Sequence, residues 1–229
     1  MMFYSLTGEG PGYRDIGLTH NPFSALIVPR PIGWISSISA AGIANLAPYS
    51  FFNAVSSRPA MVMFTTSEAP KGGGEKDSLS NIRETGQFVV NLATAAQQAE
   101  MNASSAPAPR DVDEFDLVGL EKLPGRAVAV PRVRGAPVHL ECVLDRIIDL
   151  RELGSGVGSV MTIGRVVGIH IAEDLVVDGK VDISRAKPIA RLGYFEYCRV
   201  DETFDIPRPD WPPAAVATGG GSQTTRPTA

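Results

Sequence analysis

The stretch from Pro29 to Asn53 reads PRPIGWISSISAAGIANLAPYSFFN. An apolar run carrying Trp34, Ser36 and Ser37 leads through a turn signal at Ala40-Ala41-Gly42 into a polar and aromatic segment with Asn45, Ala47, Tyr49, Ser50 and Asn53. Short runs of β-branched and aromatic residues bounded by glycine predict strands. Small residues beside hydroxyls let a backbone approach a flat ligand, and Trp34 and Tyr49 are available to cover it. The stretch therefore describes a groove for a polar heteroaromatic molecule. It describes equally well a strand, a hairpin and a second strand with ordinary surface serines.

The rest of the chain repeats the same style. Short apolar runs are punctuated by 23 glycines and 18 prolines. Strands are predicted over Ser24–Val28, Ile32–Ile38, Ala60–Thr66, Gln87–Leu92 and Ala127–Val130. Longer ones follow over Pro137–Leu150, Gly158–Ala172 and Tyr194–Val200. In Pro137–Leu150, Val138, Leu140, Cys142 and Leu144 alternate with His139, Glu141 and Asp145, the period of a half-buried strand. Leu153–Gly158 reads as the hairpin loop between the two longest strands.

Two helices are expected. Asp77–Gly86 opens on an N-cap residue and closes on glycine, and Thr94–Ala103 is rich in alanine and glutamine. One further helical turn is predicted within Val112–Leu117. From about Pro213 on, little remains to bury, and a loosely held tail is expected.

Composition narrows the function. A formal net charge of −4 and a pI near 5.4 give no electrostatic case for nucleic acid or an anionic membrane. No apolar run reaches the ~18 residues of a membrane span. The opening MMFYSLTGEGPGYRD lacks the basic and apolar regions of a secretory leader, so a cytoplasmic protein is expected. Cys142 and Cys198 sit in strand-like runs without metal-ligand spacing and read as small core residues. His20, His139 and His170 form no ligand pair, and no GxSxG is present, so no metal is expected.

Gly154-Ser155-Gly156-Val157-Gly158 is not followed by a helix pattern, which removes the dinucleotide-fold reading. Lys71-Gly72-Gly73-Gly74-Glu75-Lys76-Asp77-Ser78 breaks the phosphate-loop pattern at Asp77. It still places a lysine at a helix start, where backbone N–H groups can receive a phosphate; an ordinary surface loop is the alternative.

The run RPIGWISSISAAGIANLAPYSFFNAVSSRPAMVMFTTS, continued by KDSLSNIRETGQFVVNL, PVHLECVL and RLGYFEYCRV, resembles the flavin reductase-like, FMN-binding split-barrel family. That family includes flavoredoxins, ferric reductase-like proteins and reductase components of two-component monooxygenases. The resemblance spans about Pro22 to Val200. It implies a mainly β fold, a small Greek-key-like split barrel with a few short helices, over residues 1–205. Residues 206–229 form a Pro/Gly/Ser-rich tail. It also implies a homodimer with FMN near the subunit interface.

Carried onto matching positions, the resemblance places Trp34, Ser36 and Ser37 beside the flavin and its ribityl chain, with Asn45 in the same segment. Ala47, Pro48, Tyr49 and Ser50 line the ring edge, largely through backbone groups. Asp77, Ser78 and Asn81 lie near the phosphate, and Arg191 contacts the phosphate or the ring edge. The triple glycine before Glu75 departs from the family pattern.

No catalytic side chain is expected, because flavin chemistry needs orientation and a partly dry pocket rather than a protein nucleophile. The implied activity is NAD(P)H:flavin reduction, with a monooxygenase component or another acceptor downstream. The alternative is an FMN-carrying electron-transfer protein reduced by a protein partner. A third reading is a barrel that holds another ligand, such as haem.

Overall fold

The alternation in residues 138–149 becomes the centre of the molecule. The computed structural model describes residues 1–67, 74–150 and 158–211. The strands are β1 (Arg30–Pro31), β2 (Gly33–Ile38), β3 (Ala44–Tyr49), β4 (Phe52–Ser57), β5 (Ala60–Ser67), β6 (Gln87–Leu92), β7 (Lys122–Leu123), β8 (Arg132–Val133), β9 (Val138–Asp149), β10 (Ser159–Ile171), β11 (Val176–Val177), β12 (Lys180–Val181), β13 (Ile189–Arg191) and β14 (Tyr197–Arg199). The helices are α1 (Phe23–Leu26), α2 (Asp77–Thr85), α3 (Gln98–Ala103) and α4 (Glu114–Leu117).

Seven strands form one antiparallel sheet in the order β3-β2-β6-β9-β10-β5-β4. The sheet curls until its ends approach at the Ser50–Phe51 turn. There Gly33 of β2 faces Phe52 of β4 so closely that a Cβ would lie 2.7 Å from the ring. A second close approach occurs at Gly164, where a Cβ would meet the Phe88 ring at 2.3 Å. Both positions take glycine because sheet curvature brings an aromatic ring onto the backbone. A small sheet in the order β1-β13-β14 stands beside the barrel.

Period two divides the core into two layers. Ile35, Phe64, Phe88, Val90 and Cys142 fill the barrel with Ile82 of α2. Tyr49, Phe64 and Phe88 stand in a row, with ring centroids 5.0 and 5.5 Å apart. On the other face, Trp34, Ala44 and Leu46 are covered by Met101, Phe115 and Val133 from the segments that follow β6.

Several expectations shift. Ser24–Val28 is not a strand: residues from Phe23 form the single turn α1, with Ala25 and Leu26 N–H donating to the Pro22 carbonyl. Ala127–Val130 also makes no strand. The N–H groups of Arg126, Ala127 and Val128 turn instead to the buried Glu141 carboxylate at 2.5–3.1 Å, and that of Ala129 to Gln87 Oε1. A side-chain acceptor here replaces a strand ladder. The helix expected from Thr94 divides into a 3₁₀ turn, Ala95–Gln97, and α3. The strand expected over Tyr194–Val200 starts only at Tyr197, after a turn with Tyr194 at φ +54°.

Helix α2 keeps its expected span and ends on Gly86 at φ +70°. Its N-cap is Lys76 rather than Asp77. The hairpin loop over Leu153–Gly158 falls almost wholly outside the described residues, as do Lys71–Gly73 and the tail from residue 212 on. Both cysteines are free, Cys142 in the barrel interior.

Candidate functional site

The start of α2 packs against the ends of β2 and β3, and there the structure gathers five of the expected residues. Tyr49 OH lies 3.1 Å from Ser78 Oγ, which donates to Asn45 Oδ1 at 2.6 Å. Asn81 Nδ2 donates to Ser37 Oγ at 3.1 Å, and Ser37 Oγ reaches Asn45 Oδ1 at 3.4 Å. These residues project from the inner face of β2 and β3 and from the facing side of α2. Burial, aided by the Asp77 and Glu114 charges and opposed by the Ser78 contact, pushes the Tyr49 phenol up to about 12, so it remains a neutral hydrogen-bonding group.

Glu114, which sequence reasoning missed, completes the cluster from outside the edge of the sheet. It is 4% exposed and accepts from Leu46 N–H at 3.0 Å and from Asn45 Nδ2 at 2.9 Å. Burial raises its pKa, against those two bonds. The contact covers part of the free edge of β3, where an unpaired N–H would otherwise stay open. Nothing in the spacing of Glu114 signals this, since the contact depends on how α4 meets β3.

Ala47, Pro48, Tyr49 and Ser50 are half-buried and form the rim beside this cluster. Asp77 is also half-buried and pairs with Arg110 at 3.2 Å. Lys76 gives α2 no side-chain cap, so the first N–H groups of the helix keep the anion-receiving character of an open N-terminus. Among the described residues, Asn81 Oδ1 is buried without a hydrogen-bond partner.

Trp34 and Ser36 do not join the cluster. Both are fully buried on the opposite face of β2. Trp34 Nε1 donates to Ser104 Oγ at 2.9 Å, while Ser36 Oγ donates to the Pro131 carbonyl at 2.6 Å. The expectation that the Trp34 ring covers a ligand is therefore corrected: its ring is core of the outer layer. Alternation itself held that signal, because Trp34 and Ser36 must face away from Ile35 and Ser37. Arg191 comes from the small sheet, directly across from Arg30.

Residues 25–186 match the flavin reductase like domain family. The chain belongs to that family. The uncharacterized protein BH2278 of Halalkalibacterium halodurans is 34% identical over 80% of this chain and 87% of its own length. The protein YwrF of Bacillus subtilis is 32% identical over 83% and 93%. Among solved structures, nitrilotriacetate monooxygenase component B from Bacillus cereus superposes with a TM-score of 0.79 at 30% identity, over 90% of this chain and 98% of that one. The 2-nitrobenzoate 2-nitroreductase of Pseudomonas fluorescens gives 0.73 at 29% identity, over 84% and 91%. Flavoredoxin of Desulfovibrio vulgaris, at 20% identity and a TM-score of 0.66, shares the fold. The flavin reductase-like membership and the mainly β split-barrel fold implied by the sequence both hold, and with them a flavin-related oxidoreductase or electron-transfer role.

Proposed function

We propose that each subunit holds one FMN and transfers hydride to it from NAD(P)H, as a flavin reductase-type oxidoreductase. The observation that carries this reading is the meeting of the half-buried strand end Ala47–Ser50 with the uncapped start of α2, joined by the 3.1 Å contact of Tyr49 and Ser78. A rim of small and aromatic residues beside a helix start suits a ligand with a flat polar ring at one end and a phosphate at the other.

The residues present fit FMN. Backbone groups of Ala47, Pro48, Tyr49 and Ser50 would border the ring, and the first N–H groups of α2, that of Ser78 among them, would receive the phosphate with Lys76. Arg110 offsets the Asp77 charge that would otherwise repel it. Ser37, Asn45 and Asn81 hold the helix start against the strands, with the free Asn81 Oδ1 as an acceptor for a ribityl hydroxyl. Bound there, FMN supplies the hydride acceptance, and the protein contributes position and exclusion of water.

The wider reading is of a homodimer in the cytoplasm. Among the described residues, β10 beyond Arg165 pairs only with β9. Ile169 and Ile171 on that free edge are 59% and 42% exposed, and a second copy is the occupant that would cover them. Two unpaired cysteines suit a reducing compartment. The match to a monooxygenase component supports a monooxygenase or another acceptor as the downstream partner.

Titration with FMN and with riboflavin tests the site. Flavin fluorescence should quench with both, FMN should bind more tightly, and Lys76→Ala should narrow the difference. Equal affinities for the two flavins in the unaltered protein would remove α2 as the phosphate site, and absence of quenching would remove the flavin.

A further inference from the structure

Arg30 and Arg191 are Cα partners in the antiparallel pairing of β1 with β13. Like charges directly opposed across a strand pair are destabilising, and such pairs normally acquire a carboxylate between them. Here, among the described residues, neither guanidinium has one within ion-pair distance. Arg30, 7% exposed, donates instead to the carbonyls of Ser24, Ile27 and Leu192. Its Nε is buried with no partner among the described residues. Arg191 donates to Tyr197 OH at 2.5 Å and to the Tyr194 carbonyl, and lies over the Tyr197 ring. Carbonyls and a phenol satisfy N–H groups, but they leave two positive charges side by side.

Aromatic rings frame the pair. The Arg30 guanidinium stands 5.8 Å from the Phe51 ring centroid. Tyr194 and Tyr197 are 48% and 37% exposed, and the His20 ring meets Tyr194 edge-on at 5.5 Å. A part-exposed arginine backed by the buried charge of a second, beside exposed rings, suits an anion that carries a flat heterocycle. Pro31, Ile189 and Ala190 of the same small sheet line an apolar pocket of about 320 Å³ in which neither arginine takes part.

We propose that Arg191, with the buried charge of Arg30 behind it, binds a phosphate group of the nicotinamide dinucleotide that donates hydride. The proposal rests on the hydride-transfer reading above. It follows from the order of residues along one turn: Tyr49 touches Ser78 at the start of α2, and Phe51, two residues on, lies beneath Arg30. The flavin's single phosphate is served at α2. A second anion site across the Tyr49–Phe51 turn belongs to a second ligand, and a dinucleotide brings both a pyrophosphate and, in one form, a 2′-phosphate.

The test is anaerobic reduction of the FMN-loaded protein and its Arg191→Gln and Arg191→Lys variants, with NADH and NADPH each varied in concentration. FMN affinity is measured in parallel by fluorescence quenching. Loss of a charge-assisted contact should raise the half-saturating donor concentration about tenfold in Arg191→Gln, with recovery in Arg191→Lys and FMN affinity held. A rise for NADPH alone assigns the 2′-phosphate, and a rise for both donors assigns the pyrophosphate. Unchanged donor dependence in Arg191→Gln overturns the proposal, whether FMN affinity falls or stays. If neither nucleotide reduces the unaltered protein, the hydride-transfer reading itself fails, a result separable from failure of the arginine site alone.

Discussion

Glu141 Oε1 lies 2.5 Å from His170 Nε2, and no part of the Glu141 side chain reaches solvent. The same carboxylate accepts the N–H groups of Arg126, Ala127 and Val128. One side chain on β9 thus ties down the segment that covers the outer face of the sheet. Glu141→Gln replaces an acceptor-only group with one that also presents donors to those N–H groups. Breaking a buried, fully bonded charge of this kind costs about 3 kcal/mol or more. Denaturant unfolding of the variant should show that loss, with FMN affinity per folded molecule held.

The pH dependence follows from two buried groups. Burial alone would raise the Glu141 pKa, but the Arg126 N–H, the His170 ring and the Ala127 and Val128 N–H groups outweigh it and hold it at about 2. His139 is driven down to about 4 by burial, with the Arg132 and His170 charges adding to the effect. For each, the unfolded chain takes up a proton before the folded one does, so stability falls as pH falls. His139 removes stability from about pH 6.5 to 4 and Glu141 from about 4.5 to 2. Unfolding midpoints measured from pH 7 to pH 3 should decline throughout, and His139→Gln should flatten the upper part. A flat profile across that range would contradict both placements.

Trp34→Ala removes the largest side chain of the outer core layer and leaves Ser104 Oγ without its indole donor. The expected loss is about 3–5 kcal/mol, read from the shift of the unfolding curve. FMN affinity per folded molecule should stay within about twofold, since the ring faces away from the Tyr49–Ser78 cluster. A large drop in flavin affinity at full stability would return Trp34 to the ligand site.

The free edge of β10 tests the dimer. Ile169→Glu places a charge on an apolar edge strand, a device that blocks strand-to-strand and face-to-face association. Sedimentation velocity should find the unaltered chain as a dimer and the variant shifted toward monomer. Two identical profiles would place the interface elsewhere.

Most strands were legible because alternation survives in the sequence: residues 138–149 and 159–171 need no tertiary knowledge to be read as a half-buried pair. Ala127–Val130 has the same local look, yet its N–H groups go to Glu141, whose capture of that segment is a tertiary event. The cluster of Ser37, Asn45, Tyr49, Ser78 and Asn81 was legible through the family resemblance. The same resemblance drew Trp34 and Ser36 in with it, against the parity of their own strand. Glu114 and Arg30 carry no local signal, because an edge contact with α4 and a register match with β13 arise only once distant segments meet.

Anaerobic stopped-flow reduction of the FMN-loaded protein, with NADH and NADPH in separate runs, tests the central claim most directly. The account predicts fast bleaching of the oxidised-flavin band with at least one nucleotide, which establishes hydride transfer at this site and identifies the donor. Bound flavin that neither nucleotide reduces would contradict it and leave an electron carrier that depends on a protein partner.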